Sequence, residues 1–274
     1  MKLYLLANVG DRDVLLDKKK IEKPRLEGKN LYMNLEIFKS KISFPILSKI
    51  FEDYTFEKVF LFATRQNKDL VDQKFWENDT IYLAEIIKSS FNNVEYEIIS
   101  NNPSDYTDMY KFFVDRLPKI KEKIPSDSLV FLSLSGGVPA QNTSLLLNGI
   151  KVFGANSQPI YVPPTGKAHV LEINKILSKE RSIDDAITAI NNYDYSSAIV
   201  ILKLIDGDPY IISFLEYLDR RINFDFKRAR DILLKINSSG QDKLYLDNLL
   251  NYLISLEAGS DEKKILELYY HIDI

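Results

Sequence analysis

The chain has 274 residues, enough for about two domains at a usual size of roughly 150 residues each. Hydrophobic residues make up 45% of it and aromatic residues 12%, which is typical of a folded protein and excludes a mainly disordered one. Its 36 basic and 39 acidic residues give a net charge of −3, so no general electrostatic attraction draws it to duplex nucleic acid or to an anionic membrane. Any nucleic-acid ligand is therefore expected to be small and held locally.

Two residue types that carry much of protein chemistry are scarce. The chain has no cysteine, which excludes disulfides, thiolate nucleophiles and cysteine-bound metals, and it has only two histidines. We therefore predict no metal site and no cofactor. The lack of cysteine fits a reducing cytosol, and no apolar run approaches the roughly 20 residues that cross a bilayer. A soluble, cytoplasmic protein without a membrane partner is expected.

Residues 1–175 alternate short apolar runs with longer helical patterns, as in an α/β domain with a mainly parallel sheet. The predicted strands cover residues 2–7, 58–63, 94–99, 128–134 and 158–162. The predicted helices cover residues 44–52, 80–90, 105–123 and 143–152. Runs such as Val59-Phe60-Leu61-Phe62 are apolar at consecutive positions, so we expect helices to cover both faces of the sheet.

From about residue 180 the apolar spacing is helical throughout, as at Leu246, Leu249, Leu250 and Leu253. Turn-forming residues at 206–209, 237–240 and 258–261 divide this part into separate helices. The sequence therefore predicts an all-α bundle over residues 180–274 that contains no further strand.

Three loops follow predicted strands, at the edge where parallel sheets bind ligands. They read Asn8-Val9-Gly10-Asp11-Arg12-Asp13, Thr64-Arg65-Gln66-Asn67, and Ser135-Gly136-Gly137-Val138-Pro139-Ala140-Gln141-Asn142. In the third loop, glycines permit close backbone approach to a ligand, and a helix capped near Asn142 or Thr143 would attract an anion. We expect a phosphate site there, and expect Gly136→Val to abolish binding while leaving the fold intact. The same residues also suit a plain strand-to-helix turn.

Several other side chains are candidates for binding or for ordinary structural roles. Arg12 and Arg65 stand at strand ends, and Lys167, in the loop after the fifth strand, could reach a phosphate. The run 18–20, together with Lys23 and Arg25, is typical of an exposed loop, although it also suits a nucleic-acid partner. Phe75 and Trp76 are predicted to be local packing anchors.

The first and third loops together resemble those of the CARF family, the CRISPR-associated Rossmann-fold sensors of type III systems. The family pattern places a glycine and a polar residue after the first strand, and a Gly-Gly or Gly-Thr turn with proline after the fourth. The resemblance covers about residues 1–175. This sequence has Val138 where threonine or serine is frequent, and Gln141 where methionine is frequent.

The resemblance implies an antiviral, allosteric sensor. Its homodimer would form one pocket for a cyclic oligoadenylate, with four or six adenylates as the expected ring sizes. The implied ligand-binding residues, with Lys167 added, are Asn8, Gly10, Asp11, Arg12, Asp13, Thr64, Arg65, Gln66, Ser135, Gly136, Gly137, Val138, Pro139, Ala140, Gln141 and Asn142.

Enzymatic activity stays open at this point. Effectors of the family usually carry a C-terminal catalytic domain, but neither an Arg-x4–6-His motif nor an Asp…Glu-x-Lys set is found here, so no catalytic residue is predicted. The chain is expected to be either a stand-alone sensor or the sensor part of a longer effector. One alternative is a ring nuclease that cleaves its ligand in the same pocket. Another is a Rossmann-type nucleotide-binding enzyme, although Gly-x-Gly-x-x-Gly is absent after the first strand.

Overall fold

A computed structural model describes residues 1–69, 71–236, 241–262, 265 and 266. The chain forms two compact units, residues 1–176 and 177–274.

The first unit is built from short strands and helices that alternate along the chain. Up to residue 100 the elements are β1 (Leu3–Asn8), β2 (Leu15–Leu16), β3 (Lys19–Lys20), α1 (Glu27–Met33), α2 (Leu35–Phe38), β4 (Ile42–Ser43), α3 (Pro45–Asp53), β5 (Lys58–Thr64), α4 (Gln73–Glu77), α5 (Ile81–Ser90) and β6 (Val94–Ile99). They are followed by α6 (Tyr106–Lys121), β7 (Leu129–Ser133), α7 (Pro139–Phe153), β8 (Ser157–Tyr161) and β9 (His169–Val170). The five predicted strands are β1, β5, β6, β7 and β8, with each end within one residue of its predicted position. The predicted α/β class is confirmed.

The main sheet has the strand order β6-β5-β1-β7-β8-β9. Its strands pair in parallel except β9, which runs antiparallel to β8. The order therefore reverses at β1, which has β5 on one side and β7 on the other. At such a reversal the connections leave in opposite directions, and a crevice opens at the carboxyl ends of the strands. The loops after β1 and β7 flank this crevice.

Helices cover both faces of the sheet, as predicted. Successive residues of β1 point to opposite sides, so that Leu5 joins one core with α3 and α5, and Leu6 joins another with α6 and α7. The second core includes Phe113 and Leu117 of α6, both fully buried. Strands buried on both faces need consecutive apolar residues, and for this reason they are recognisable in the sequence.

The segment between β1 and α3 was not predicted. β2 pairs antiparallel with both β3 and β4 in a small second sheet. The expectation of a loop over residues 18–20 is wrong, because Lys19 and Lys20 form β3. Strands of two residues are too short for hydrophobic alternation to reveal them.

The predicted start of the helix after β7 is also wrong. α7 begins at Pro139, four residues before the expected Thr143, and Val138 is its N-cap. Proline favours the first helical position because its fixed φ suits the helix and its missing N–H would have no partner there.

The second unit is helical throughout the part that the structure describes. α8 (Ile173–Asn191) crosses the boundary and is followed by α9 (Tyr195–Leu204), α10 (Pro209–Ile222), α11 (Phe226–Leu233) and α12 (Gln241–Glu257). The turn predicted at 206–209 separates α9 from α10, whereas residues 237–240 lie outside the described ranges. Leu246 and Leu253 of the predicted apolar stripe are buried against Phe226 and Leu233. Asp194, Asp208 and Asp225 cap α9, α10 and α11, and each side chain accepts a backbone N–H of the first turn.

Candidate functional site

The loops after β1 and β7 cross each other with their backbones in contact. A Cβ atom on Gly136 would overlap the carbonyl oxygen of Asn8, and one on Gly10 would lie 2.6 Å from the backbone nitrogen of Gly137. Gly137 also has a φ of +72°, a conformation that favours glycine. The glycines therefore let one loop pass the other. The expectation that Gly136→Val leaves the fold intact is wrong, because no space exists for the added atoms.

Asparagine side chains fasten this crossing. Asn8 Nδ2 donates to Asn142 Oδ1 at 2.9 Å, and Asn142 Nδ2 donates to the carbonyl oxygen of Leu134 at 3.2 Å. In the same region Ser135 Oγ accepts a hydrogen bond from the backbone N–H of Val162 at 2.7 Å. These three side chains hold the ends of β1, β7 and β8 in position.

Asp13 is a buried carboxyl group beneath the crossing. Its side chain is enclosed, with the residue only 4% exposed, and its Oδ2 accepts the backbone N–H of Gly10 at 2.7 Å. Burial raises the pKa of Asp13 to about 7 because the ionised form loses its hydration, and the charge of Asp11 acts in the same direction. The hydrogen bond from Gly10 opposes this rise. Asp13 therefore changes charge near neutral pH.

The N-terminus of α7 has hydrogen-bond donors to offer. The backbone N–H of Val138 donates to Gln141 Oε1 at 2.9 Å. Val138 itself has no polar side-chain atom, so it caps none of the N–H groups of the first turn, which lack partners within the helix. Gln141 is 1% exposed, and its Nε2 has no hydrogen-bond partner among the described residues. This end of α7 therefore suits an anion.

A cleft of about 560 Å³, here called the central cleft, opens where these elements meet. Its lining comes from the β1 loop, β3 and the segment after it, the end of β5, α4 and the residues after it, the β6–α6 loop, and the β7–α7 loop with the start of α7. The lining residues are Val9, Gly10, Asp11, Lys20, Glu22, Lys23, Pro24, Thr64, Gln66, Lys74, Phe75, Glu77, Asn78, Thr80, Pro103, Ser104, Gly137, Val138 and Gln141.

Most charged groups in the central cleft are paired. Lys20 lies 3.5 Å from Glu22, and Lys23 lies 2.9 Å from Glu77. Lys74 makes no ion pair with a described residue, so its charge is available. Phe75 is 52% exposed and faces this cleft, so the prediction that it is a packing anchor is wrong.

A second cleft of about 420 Å³, the side cleft, lies on the other side of the β1 loop. Arg12, Ser135 and Tyr161 are in its lining, and Lys20 lines both clefts. Lys49, also in its lining, donates to the carbonyl oxygens of Pro163 and Pro164 at 3.3 and 3.4 Å. Arg12 is exposed and makes no hydrogen bond or ion pair within the described ranges. The two clefts together form a surface with cations on both sides of the Gly10 turn.

The end of β5 is held by hydrogen bonds rather than left open. Thr64 and Thr80 each donate a backbone N–H to the other's hydroxyl oxygen, at 3.0 and 2.9 Å. The backbone N–H of Gln66 donates to Asp79 Oδ2 at 2.7 Å. Burial raises the pKa of Asp79, whereas this hydrogen bond and the charge of Arg25 lower it. Arg65, between Thr64 and Gln66, is exposed on the side away from the central cleft.

The structure therefore separates the predicted site residues into groups. Seven line the central cleft: Gly10, Asp11, Thr64, Gln66, Gly137, Val138 and Gln141. Arg12 and Ser135 line the side cleft, and Arg65 lines a third one. Asn8, Asp13, Gly136 and Ala140 are buried behind the loops, Asn142 is half-buried, Pro139 is exposed at the start of α7, and Lys167 is exposed between β8 and β9. Ligand contact stays a prediction for all of these residues.

Sequence reasoning did not assign Lys20, Lys23, Lys74 and Phe75 to the central cleft. Their positions depend on the small sheet and on α4, a helix of five residues that no periodicity reveals. Among the described residues no group of three His, Asp or Glu side chains is arranged to hold a metal ion. Nor does that part of the chain contain a helix both long and apolar enough to span a membrane.

Comparison with known proteins supports the fold. No family model matches the chain, and no curated protein does. Among solved structures, Csm6 of Enterococcus italicus bound to cyclic hexa-2'-fluoro-hexa-dAMP matches with 16% sequence identity and a TM-score of 0.54. The match covers 97% of this chain and 65% of that one, so the chain spans less than two thirds of the Csm6 length. This likeness confirms the fold that the loop resemblance implied.

Proposed function

We propose that this protein is a cyclic oligoadenylate sensor of type III CRISPR antiviral defence, with the central cleft as one protomer's share of the ring-binding pocket. One observation carries the proposal. In a fold shared with Csm6, which has been solved with a cyclic hexa-adenylate analogue, the uncapped N-terminus of α7 and the Gly10 turn flank a cleft at the strand-order reversal.

The chemistry of the lining suits a ring of adenylates. Each nucleotide brings one phosphate and one flat base. The free N–H groups of α7 and the unpaired Lys74 would bind phosphates, and the exposed ring of Phe75 offers a stacking surface for a base. The paired Lys20 and Lys23 keep the cleft close to neutral, which favours a small ligand over a long polyanion. No role on duplex nucleic acid or at a membrane is proposed.

The size and symmetry of such a ring favour a homodimer. A cyclic tetra- or hexa-adenylate has rotational symmetry, and a symmetric dimer would offer the same surface to each half. In each protomer Lys20 would continue the binding surface from the central cleft to Arg12 in the side cleft. We propose a cytoplasmic dimer in which ring binding favours one arrangement of the helical unit. That allosteric part of the proposal predicts altered hydrogen exchange in residues 177–236 and 241–262 when the ring is bound.

Ring binding can be tested by thermal shift and calorimetry with cyclic tetra- and hexa-adenylate. A ligand that binds only the folded state raises the melting temperature, so at least one ring should do so, and linear hexa-adenylate should do so much less. Arg12→Ala and Lys74→Ala should each weaken ring binding about tenfold through loss of a charge-assisted contact. The matched control is Arg116→Ala, on α6 outside the three clefts, which should bind normally. No shift with either ring would overturn the proposal.

The same samples test the alternatives. Light scattering should give the mass of a dimer, and a monomer would contradict the shared pocket. Mass spectrometry after incubation follows the ring itself: its conversion to linear products would identify a ring nuclease. A thermal shift with ATP or NAD but with neither ring would favour a conventional Rossmann-type enzyme.

A further inference from the structure

A third cleft lies beside the end of β5 and is here called the tryptophan cleft. It has a volume of about 790 Å³, and among the described residues its lining includes cationic, amide and hydroxyl side chains but no carboxylate. The lining residues are Arg25, Arg65, Gln66, Asn67, Lys68, Val71, Trp76, Ser100, Asn101 and Asn102. Unlike the central cleft, whose lysines are mostly paired with carboxylates, this one has an excess of positive charge.

The cations of the tryptophan cleft gather around one aromatic ring. The guanidinium carbon of Arg25 lies 5.2 Å from the ring centre of Trp76, and Lys68 Nζ lies 5.3 Å from it. Arg25 is held in place by Asp79 Oδ2 at 3.2 Å. Lys68 is exposed and makes no ion pair with a described residue, so it can leave the ring when a ligand arrives. The indole therefore combines a flat surface with one fixed and one movable cation.

The amide side chains add donors rather than acceptors. Asn67 Oδ1 accepts the backbone N–H of Asp69 at 3.1 Å, and Asn102 Oδ1 accepts that of Ser104 at 3.0 Å. Their NH₂ groups remain for a ligand. Arg65, exposed and without an ion pair in the described ranges, adds a guanidinium group. A surface that offers donors, cations and an aromatic ring matches a ligand with a phosphate and a planar base.

We propose that the tryptophan cleft is a nucleotide-binding site separate from the central cleft, with the base stacked on Trp76 and the phosphate bound by Arg65 and Lys68. The ligand is a nucleotide, either free or as one unit of a single strand. Gln66 lines both clefts, and its N–H and Arg25 share the same oxygen of Asp79. Binding in the tryptophan cleft would therefore affect the loop after β5, which also lines the central cleft through Gln66. The proposal does not depend on ring binding.

Trp76 is the only tryptophan in the chain, so its fluorescence reports on this cleft directly. Titration with AMP should quench the emission with saturation. Adenosine lacks the phosphate and ribose 5-phosphate lacks the base, and each should bind at least tenfold more weakly than AMP. Linear penta-adenylate distinguishes the two sources of the ligand, because a site for a strand would bind it more tightly than AMP.

Substitutions show whether the AMP that quenches the Trp76 fluorescence is bound in the tryptophan cleft. Lys68→Ala should weaken AMP binding about tenfold, which corresponds to about 1.4 kcal/mol. Lys151→Ala, on the exposed face of α7, removes the same charge elsewhere in the unit and should leave AMP binding unchanged.

Two results would overturn the proposal. One is the absence of saturable quenching at millimolar AMP. The other is quenching that survives Lys68→Ala but is lost in Lys74→Ala, which would place the nucleotide in the central cleft. Thermal shifts with the cyclic rings are measured separately, so failure of ring binding and failure of this site remain distinguishable.

Discussion

The two units use polar side chains in opposite ways. In the first unit, polar residues are buried at the carboxyl edge of the sheet, among them Asn8, Asp13, Thr64, Gln66, Asp79, Thr80 and Gln141. In the described part of the second unit the buried side chains are aliphatic or aromatic, and aspartates stand at exposed helix starts instead. Burying a polar group costs stability unless it is hydrogen-bonded. The first unit therefore concentrates its buried polar groups at one edge of the sheet, whereas in the described part of the second unit buried polar side-chain atoms, such as Tyr217 Oη and Arg221 Nε, are fewer.

Two aspartates show the contrast in their ionisation. Burial raises the pKa of Asp13 in the first unit. In the second unit, hydrogen bonds from Ser197, and then from Ser196, lower the pKa of Asp194. In Asp13 the surroundings disfavour the ionised form of the carboxyl group, whereas in Asp194 the hydrogen bonds stabilise the ionised form.

The largest expected effect tests whether the loop crossing tolerates any added atom. Gly136→Ala should lower the free energy of unfolding by about 3 kcal/mol, because the new Cβ would meet the backbone of Asn8 and the carboxyl group of Asp13. Urea denaturation followed by circular dichroism measures this loss. The control is Gly28→Ala in α1, where the new Cβ would lie 3.2 Å from the flexible end of Leu83 and a small change is expected. Equal losses in the two variants would show that the crossing is no tighter than an ordinary helix contact.

The next largest effect is a pH dependence of the free energy of unfolding, which Asp13 causes. Its carboxyl group keeps its proton up to a pKa of about 7 in the folded protein but ionises near 3.8 in the unfolded chain. Between these values the unfolded state binds fewer protons, so the free energy of unfolding falls as pH rises.

Asp13→Asn should remove this fall, because the amide oxygen can still accept the N–H of Gly10 and carries no charge. Relative to the wild type, the variant should gain about 2–3 kcal/mol between pH 5 and pH 7. Denaturation curves at several pH values measure the difference. Asp127→Asn, at an exposed position, serves as the control, and identical pH profiles for all three proteins would contradict the buried, protonated carboxyl group.

The smallest effect concerns the second unit. Asp225→Ala removes the side chain that accepts the backbone N–H of Arg228 at the start of α11, and should cost about 1 kcal/mol of stability. Asp184→Ala, at an exposed position within α8, should cost less or even stabilise the helix. Thermal denaturation of the two variants gives the comparison. If both behave alike, the aspartates at helix starts contribute nothing as caps.

Some of this molecule could be predicted from its sequence because burial leaves a pattern there. β5 is buried on both faces and reads as consecutive apolar residues, so it was located within one residue at each end. β3 has two exposed lysines and is a strand only because β2 lies beside it, which no local pattern shows.

The candidate site, like the fold, could be predicted from the sequence only in part. The glycines of the two loops were recognised as sites of close approach, but for Gly10 and Gly136 the approaching group is the other loop. Lys74 and Phe75 reach the central cleft from α4, whose position is set by tertiary contacts alone. Sequence motifs therefore indicated the carboxyl edge of the sheet as the candidate site. The side of the central cleft that α4 forms was seen only in the structure.

The contact between Val138 and Gln141 has a consequence for selectivity. Because Gln141 Oε1 already accepts the Val138 N–H, a ligand oxygen that takes this position must displace an internal acceptor. A neutral oxygen would replace one ordinary hydrogen bond with another and gain almost nothing. A charged phosphate oxygen forms a bond about twice as strong and so gains from the replacement. At this position the glutamine would therefore favour a charged phosphate oxygen over an uncharged one.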